Sequence, residues 1–207
     1  MPDEILDGVY DVTCTEAIGR LRVYLFDGEV PTLVDTGLPD TTDAVRDGIE
    51  ATGVEPERLI VTHGDPDHVG GFDAVVDAYD LETWVPEGMD LDAAHEPDHR
   101  YGHGERIGPF ETVRVPGHTS SASALVDEDR GVLVVGDQVF GSDFRGLPPG
   151  HVVLPTDYFS ADLGTADANL ERFLDYEFET LLVFHGSSVL EDAGAKLAAF
   201  VEHPGKQ

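Results

Sequence analysis

The chain has 207 residues, 41% of them hydrophobic, enough to fill the core of one domain. Its 42 acidic residues against 12 basic ones give a formal net charge of −30, spread along the whole chain and not gathered into a tail. That balance leaves no basic stripe for a nucleic-acid backbone, no apolar run is long enough to span a bilayer, and the single cysteine, Cys14, excludes an intrachain disulfide.

Residues 21–26 and 31–35 read as a hairpin closed near Asp27-Gly28, a pair suited to a tight turn. Residues 41–52 read as a helix, with Asp40 or Thr41 as cap and Ala44, Val45, Gly48 and Ile49 on one face. A strand at 59–62 is followed by a helix at 72–78, then by strands at 82–85, 112–115, 123–126 and 132–135. Ala166, Leu170, Phe173 and Leu174 keep helical spacing, as do Ala193, Leu197, Phe200 and Val201; the continuous apolar run 181–184 between them is a strand. The class is α/β, with one domain over 1–207, because the irregular stretch 141–150 is short enough to be an internal loop.

Residues 62–71 read Thr-His-Gly-Asp-Pro-Asp-His-Val-Gly-Gly and put His63, Asp65, Asp67 and His68 on one loop at a strand end. Imidazole and carboxylate suit Zn, Fe and Mn, and a turn containing Gly64 and Pro66 can aim neighbouring side chains at one point. Three more strand ends carry such a residue: His118 after Pro116-Gly117, Asp137 after Gly136, and His185 before Gly186. Singly, each is more often a satisfied polar residue or a plain turn. Their joint occurrence at strand ends is what points to a metal site.

In these motifs the chain resembles the metallo-β-lactamase-fold hydrolases. Val34-Asp35-Thr36-Gly37, His63-Gly64-Asp65-Pro66-Asp67-His68, Pro116-Gly117-His118-Thr119, Gly136-Asp137 and Phe184-His185-Gly186 follow the family's order over residues 20–190. The resemblance implies a four-layer αββα sandwich of two mixed sheets with a dinuclear centre. By position it implies that His63, Asp65 and His118 hold one divalent ion, that Asp67, His68 and His185 hold the other, and that Asp137 bridges them. Asp35 is implied as a buried residue that organises the ligand loop. Zinc is the metal implied first. Asp65 stands where the family usually has histidine; as a ligand it makes the site one charge less positive and favours iron or manganese.

The activity implied is hydrolysis by a metal-bound hydroxide, with Asp67 orienting the nucleophile and taking its proton. The compact length and Asp137-Gln138-Val139-Phe140 resemble small glyoxalase-II-like members, which implies an ester or thioester of a small acid. A lactonase is the nearest alternative. Iron-dependent redox chemistry on oxygen or a persulfide, with Asp65 as its clue, and a non-catalytic metal-binding member are rivals from other classes. The expected partner is a small molecule, with no nucleic acid and no membrane, and the chain is expected as a monomer or homodimer.

The single cysteine and the Met1-Pro2-Asp3-Glu4 start, which lacks a signal's positive and apolar regions, give a cytoplasmic expectation. Only Lys196 and Lys206 among the basic residues are lysine, and the distributed carboxylates suit molar salt, so the expected source is a halophile. Other residues have plainer readings. Cys14 has no base near it in sequence, and Trp84 reads as core. His95, His99 and His103 are four apart, but Pro97 and Gly102 break any shared helix, and Gly102-His103-Gly104 reads as a hairpin tip. His151, Tyr158 and Phe159 are candidates for a substrate pocket, and Arg145 for a substrate carboxylate, although packing or a surface ion pair explains each as well.

Overall fold

The computed structural model describes residues 2–15 and 20–203, apart from the side chains of Thr13 and Cys14. The readings that rest on Met1, the Cys14 side chain and Lys206 fall outside the described residues. The chain divides into two compact units, residues 1–101 and 102–207.

The first unit is built on a seven-stranded sheet in simple sequence order: β1 (Asp3–Leu6), β2 (Val9–Thr15), β3 (Leu21–Phe26), β4 (Thr32–Val34), β5 (Arg58–Ile60), β6 (Glu82–Pro86) and β7 (His99–Tyr101). Neighbours are antiparallel from β1 to β4 and parallel from β4 to β7. The change of direction follows from the connections. A short connection joins β3 to β4, whereas α1 (Thr42–Thr52) and α3 (Phe72–Tyr79) carry the chain back for the parallel pairs β4/β5 and β5/β6. In β3, Leu21, Val23 and Leu25 alternate into a core shared with Val45 and Ile49 of α1 and Phe72 and Val75 of α3.

The second unit carries a five-stranded sheet. In chain order its strands are β8 (Arg106–Ile107), β9 (Phe110–Arg114), β10 (Ser123–Asp127), β11 (Val132–Val134) and, after the small ribbon β12 (Phe140–Gly141) and β13 (Val152–Val153), β14 (Thr180–Leu182). The spatial order is β14-β11-β10-β9-β8, antiparallel throughout except for the parallel pair β11 and β14. Val113, Ala124, Leu133 and Leu181 pack with Leu170 and Phe173 and with Ala193 and Leu197 of α5 (Ala193–Glu202). The expected class is therefore found: mixed α/β with two large mixed sheets. Among the described residues, no helix is long and apolar enough to cross a membrane.

Several local expectations change. Thr41 sits at the N-cap of α1 without a side-chain cap bond. Its hydroxyl donates to the Leu38 carbonyl instead, because a 3-10 turn at Pro39–Thr41 leads into the helix. The helical pattern at 166–174 divides into α4 (Leu163–Asn169) and a 3-10 stretch, Leu170–Asp175. Its tighter turn rotates Leu174 out to 43% exposure. Gly102–Gly104 is no hairpin tip: β7 and β8 belong to different sheets, and the hairpin turn is Gly108-Pro109, between Ile107 and its partner Phe110. Trp84 is half-buried and stacks on His99 at 4.0 Å.

Candidate metal centre

In the first unit, the parallel register Val34↔Ile60 sets the ends of β4 and β5 side by side. Asp35 leaves β4 with φ 61, a left-handed conformation that a non-glycine residue adopts at a cost of about 1–2 kcal/mol. What holds it there is visible. Its fully buried carboxylate accepts from the Thr62 N–H at 2.7 Å and the Thr62 hydroxyl at 2.7 Å, and lies 2.6 Å from His68 Nδ1. With the Thr62 proton committed to Asp35, the contact of His63 Nδ1 with the Thr62 oxygen at 3.1 Å is a donation from the ring. These contacts put a proton on Nδ1 of both imidazoles and turn Nε2 towards the loop carboxylates, the orientation in which a histidine offers Nε2 to a metal.

Around them the loop is short and fixed. Pro66 opens α2 (Pro66–Val69), and the His68 carbonyl accepts from the Thr36 N–H at 2.8 Å and the Thr36 hydroxyl at 2.9 Å. The His63 and His68 rings lie 3.9 Å apart. His63 Nε2 is 3.6 Å from a carboxylate oxygen of Asp65, and His68 Nε2 is 3.9 Å from one of Asp67. The two imidazoles are buried, while the two carboxylates keep 39% and 23% of their side chains exposed. This unit thus brings His63, Asp65, Asp67 and His68 together.

In the second unit the donors come from three strand ends. Register Val134↔Leu182 in the parallel pair β11/β14 places Asp137 and His185 at equal distances beyond it. His185 Nε2 lies 3.1 Å from Asp137 Oδ2, and His118 Nε2 lies 3.7 Å from the same oxygen. All three side chains are at least nine-tenths buried. The His118 turn is fixed by backbone: Ala161 N–H donates to the His118 carbonyl at 3.0 Å, and Asp162 N–H to that of Gly117 at 2.9 Å. Gly117 has φ 140, and a Cβ there would stand 2.2 Å from Ala166 N, so only glycine fits. Gly186, at φ 78, turns the chain away from His185, and Asp143 then accepts from both the Ser187 N–H and hydroxyl at 2.7 Å.

The donor chemistry of each set suits a divalent cation: buried imidazole nitrogens facing carboxylate oxygens. Other candidates are accounted for differently. His95 lies between Asp73 at 3.0 Å and Asp77 at 3.2 Å, and backbone N–H groups, that of Ala94 above all, hold the Asp73 carboxyl below its usual range. His99 pairs with Glu82 at 3.2 Å. Arg145 donates to the Leu154 carbonyl, and His151 lines a cavity beside α5 with Lys196 and His203. Sequence reasoning misses Thr62 and Asp143. Thr62 stands inside the ligand motif, and its hydroxyl is the available signal; Asp143, far from Ser187 in sequence, gives none.

A family model described as the metallo-beta-lactamase superfamily matches residues 22–185. Lactamase-like protein adaB of Aspergillus niger is 27% identical over 188 residues, covering 85% of this chain and 52% of that protein. A hydroxyacylglutathione hydrolase of Xanthomonas euvesicatoria pv. vesicatoria is 34% identical over 122 residues, covering 54% of this chain and 45% of that protein. The chain spans about half the length of the curated relatives it matches. Among solved structures, the metallo-beta-lactamase family protein TTHA1429 from Thermus thermophilus superposes with TM-score 0.73 at 18% identity, over 97% of this chain and 80% of that one. TTHA1623, solved in a di-iron-bound form, gives 0.70 at 23% identity, over 95% and 99%. At these identities, structural likeness speaks for the fold.

Proposed function

The chain belongs to the metallo-beta-lactamase superfamily, and from that premise we propose a metal-dependent hydrolase acting on a small ester or thioester. The observation that carries this reading is the burial of five donors, four just beyond strand ends and His68 in α2: His63, His68, His118, Asp137 and His185 are 7% exposed or less. Imidazole nitrogens and carboxylate oxygens facing one another this deep are the donor types a divalent cation takes.

In this reading the two donor sets serve one centre in a single domain of 1–207. His63, Asp65 and His118 would hold one divalent ion, Asp67, His68 and His185 would hold a second, and Asp137 would serve both. When bound, such ions supply a Lewis acid and lower the pKa of coordinated water from ~15.7 towards ~7. Asp67 accepts a hydrogen bond from the attacking water and takes its proton. Asp35 and Thr62 keep His68 and His63 in the Nδ1–H form. The water oxygen bonds to the acyl carbon as the ester C–O or thioester C–S bond breaks; the acid keeps the hydroxyl, and the proton taken by Asp67 passes to the departing alcohol or thiol. The partner is a small molecule, acted on by a monomer or homodimer in a salt-rich cytoplasm.

Asp67→Asn and His118→Ala are expected to lower turnover of a thioester panel by at least about a thousandfold with an unchanged circular dichroism spectrum. Retained activity in either rejects the assignment. One observation keeps iron beside zinc. The Asp65 carboxylate faces His63 Nε2 at 3.6 Å, within reach of a shared ion, and carboxylate donors favour harder metals. Colour and absorption of the purified protein separate iron from zinc.

A further inference from the structure

One segment of this acidic chain breaks its pattern. Residues 140–160 hold two carboxylates, Asp143 and Asp157, and one guanidinium, Arg145, in a protein of net charge −30. The same segment contains three of the five exposed large hydrophobic side chains among the described residues: Leu147 at 52%, Tyr158 at 88% and Phe159 at 47%. Asp143, moreover, is turned onto Ser187.

The rings in this segment form a continuous run that starts at a candidate metal ligand. Phe140 and Phe144 meet the His185 ring at 4.6 and 5.5 Å, and each other at 4.9 Å. Phe159 follows at 6.5 Å from Phe140, and Tyr158 at 5.0 Å from Phe159. Backbone fixes the Phe140 end of the run to the His185 loop, pairs it with His151, and closes a local turn under Phe159. Gly141 N–H donates to the His185 carbonyl at 2.8 Å, Ser142 N–H to that of His151 at 2.9 Å, and Phe159 N–H to that of Thr156 at 2.9 Å. Beside it opens a cavity of about 340 Å³ lined by Leu154, Pro155, Thr156 and Leu163, with Arg145 and Asp157 as its charged pair of side chains. Aromatic rings have few rotatable bonds and lose little entropy when they bind, and burying them is favourable.

We propose that Phe144, Phe159 and Tyr158 form an apolar wall beside His185 that takes an uncharged aromatic or branched acyl group, which makes aryl-acyl esters and thioesters the preferred substrates. The inference deepens the hydrolase reading and rests on it for the reaction, while the wall itself is testable by binding alone. Tyr158 supplies the outer contact and Phe159 the stacking face. Phe140, buried at 2% exposure, supports both and does not reach the ligand.

The test uses the full-length, metal-loaded protein and two probes. Calorimetric titration compares phenylacetate with acetate, and kinetics compares S-phenylacetyl with S-acetyl N-acetylcysteamine. The wall predicts tighter binding of phenylacetate, and a phenylacetyl-to-acetyl preference that falls by about tenfold in the Tyr158→Ala/Phe159→Ala double variant. Tyr158→Phe is expected to keep the preference. Hydrolysis of both thioesters at equal efficiency, unchanged in the double variant, overturns the wall and leaves the hydrolase standing. Phenylacetate binding that is lost in the double variant, without turnover of any thioester, supports the wall and defeats the hydrolase. Loss of a dimer in the double variant, with ligand binding unchanged, assigns the rings to a second copy of the chain and overturns the proposal.

Discussion

The two units hold their candidate donors by different means. In the first, four donors lie on one six-residue loop and are organised by side chains, above all by the buried carboxylate of Asp35. In the second, three donors from distant strand ends are organised by backbone, through Gly117 packed on Ala166, the β11/β14 register and the Gly141–His185 bond. A side-chain network can be weakened one bond at a time. A backbone-built site is intolerant of any added atom.

The largest effect is expected where backbone leaves no room. Gly117→Ala sets a Cβ 2.2 Å from Ala166 N at φ 140 and should cost about 3 kcal/mol in urea unfolding. Gly64→Ala, in the first unit's loop, meets Asp90 O and Met89 Cγ only at 3.2 Å and should cost less than about 1 kcal/mol. Equal costs would erase the contrast. Asp35→Asn is next: it removes the acceptor that fixes His68 and should weaken metal binding about 10–100-fold by competition with a chelator, with little change in the circular dichroism spectrum. Unchanged affinity would show that Asp35 serves the fold alone.

Charge separates the units as well. Residues 1–101 carry 25 acidic and 5 basic side chains, and residues 102–207 carry 17 and 7. Lowering KCl from molar to about 0.1 M lengthens the screening distance to about 10 Å and should lower the melting temperature. Amides of the first unit should lose hydrogen-exchange protection before those of the second. A melting temperature indifferent to KCl would reject adaptation to high salt.

The smallest effect is at acid pH. Asp73, Asp98 and Asp162 are held below their ordinary 3.8, chiefly by the backbone N–H groups of Ala94, Thr83 and Thr165 respectively. A lowered folded pKa gives stability that is present above the unfolded value and lost as pH falls through the folded one. The melting temperature should therefore be flat above about pH 5 and fall below about pH 4. A midpoint unchanged at pH 3 would contradict these three bonds.

How much is legible in the sequence follows the same division. The strand that ends at His63 and the helix after it are readable because hydrophobic period and loop chemistry are local. Asp35 can be named from its place after a strand, but its clamp on Thr62 and His68 depends on parallel register, which no local pattern encodes. β1 and β2 escape a reading by pattern because acidic residues interrupt their apolar positions, as at Glu4 and Asp11. The face of Leu174 is misread because a 3-10 turn leaves no signature distinct from an α-helix. The ring run from His185 to Tyr158 joins residues that only the paired β12 and β13 bring near each other.

The proposed hydrolase requires the two donor sets to share one pair of ions, and elemental counting on purified variants tests that requirement most directly. The account predicts two divalent ions per chain in the wild-type protein and no more than one in either His63→Ala or His118→Ala, although these residues belong to different units. A single ion per chain, retained in both variants, would contradict it.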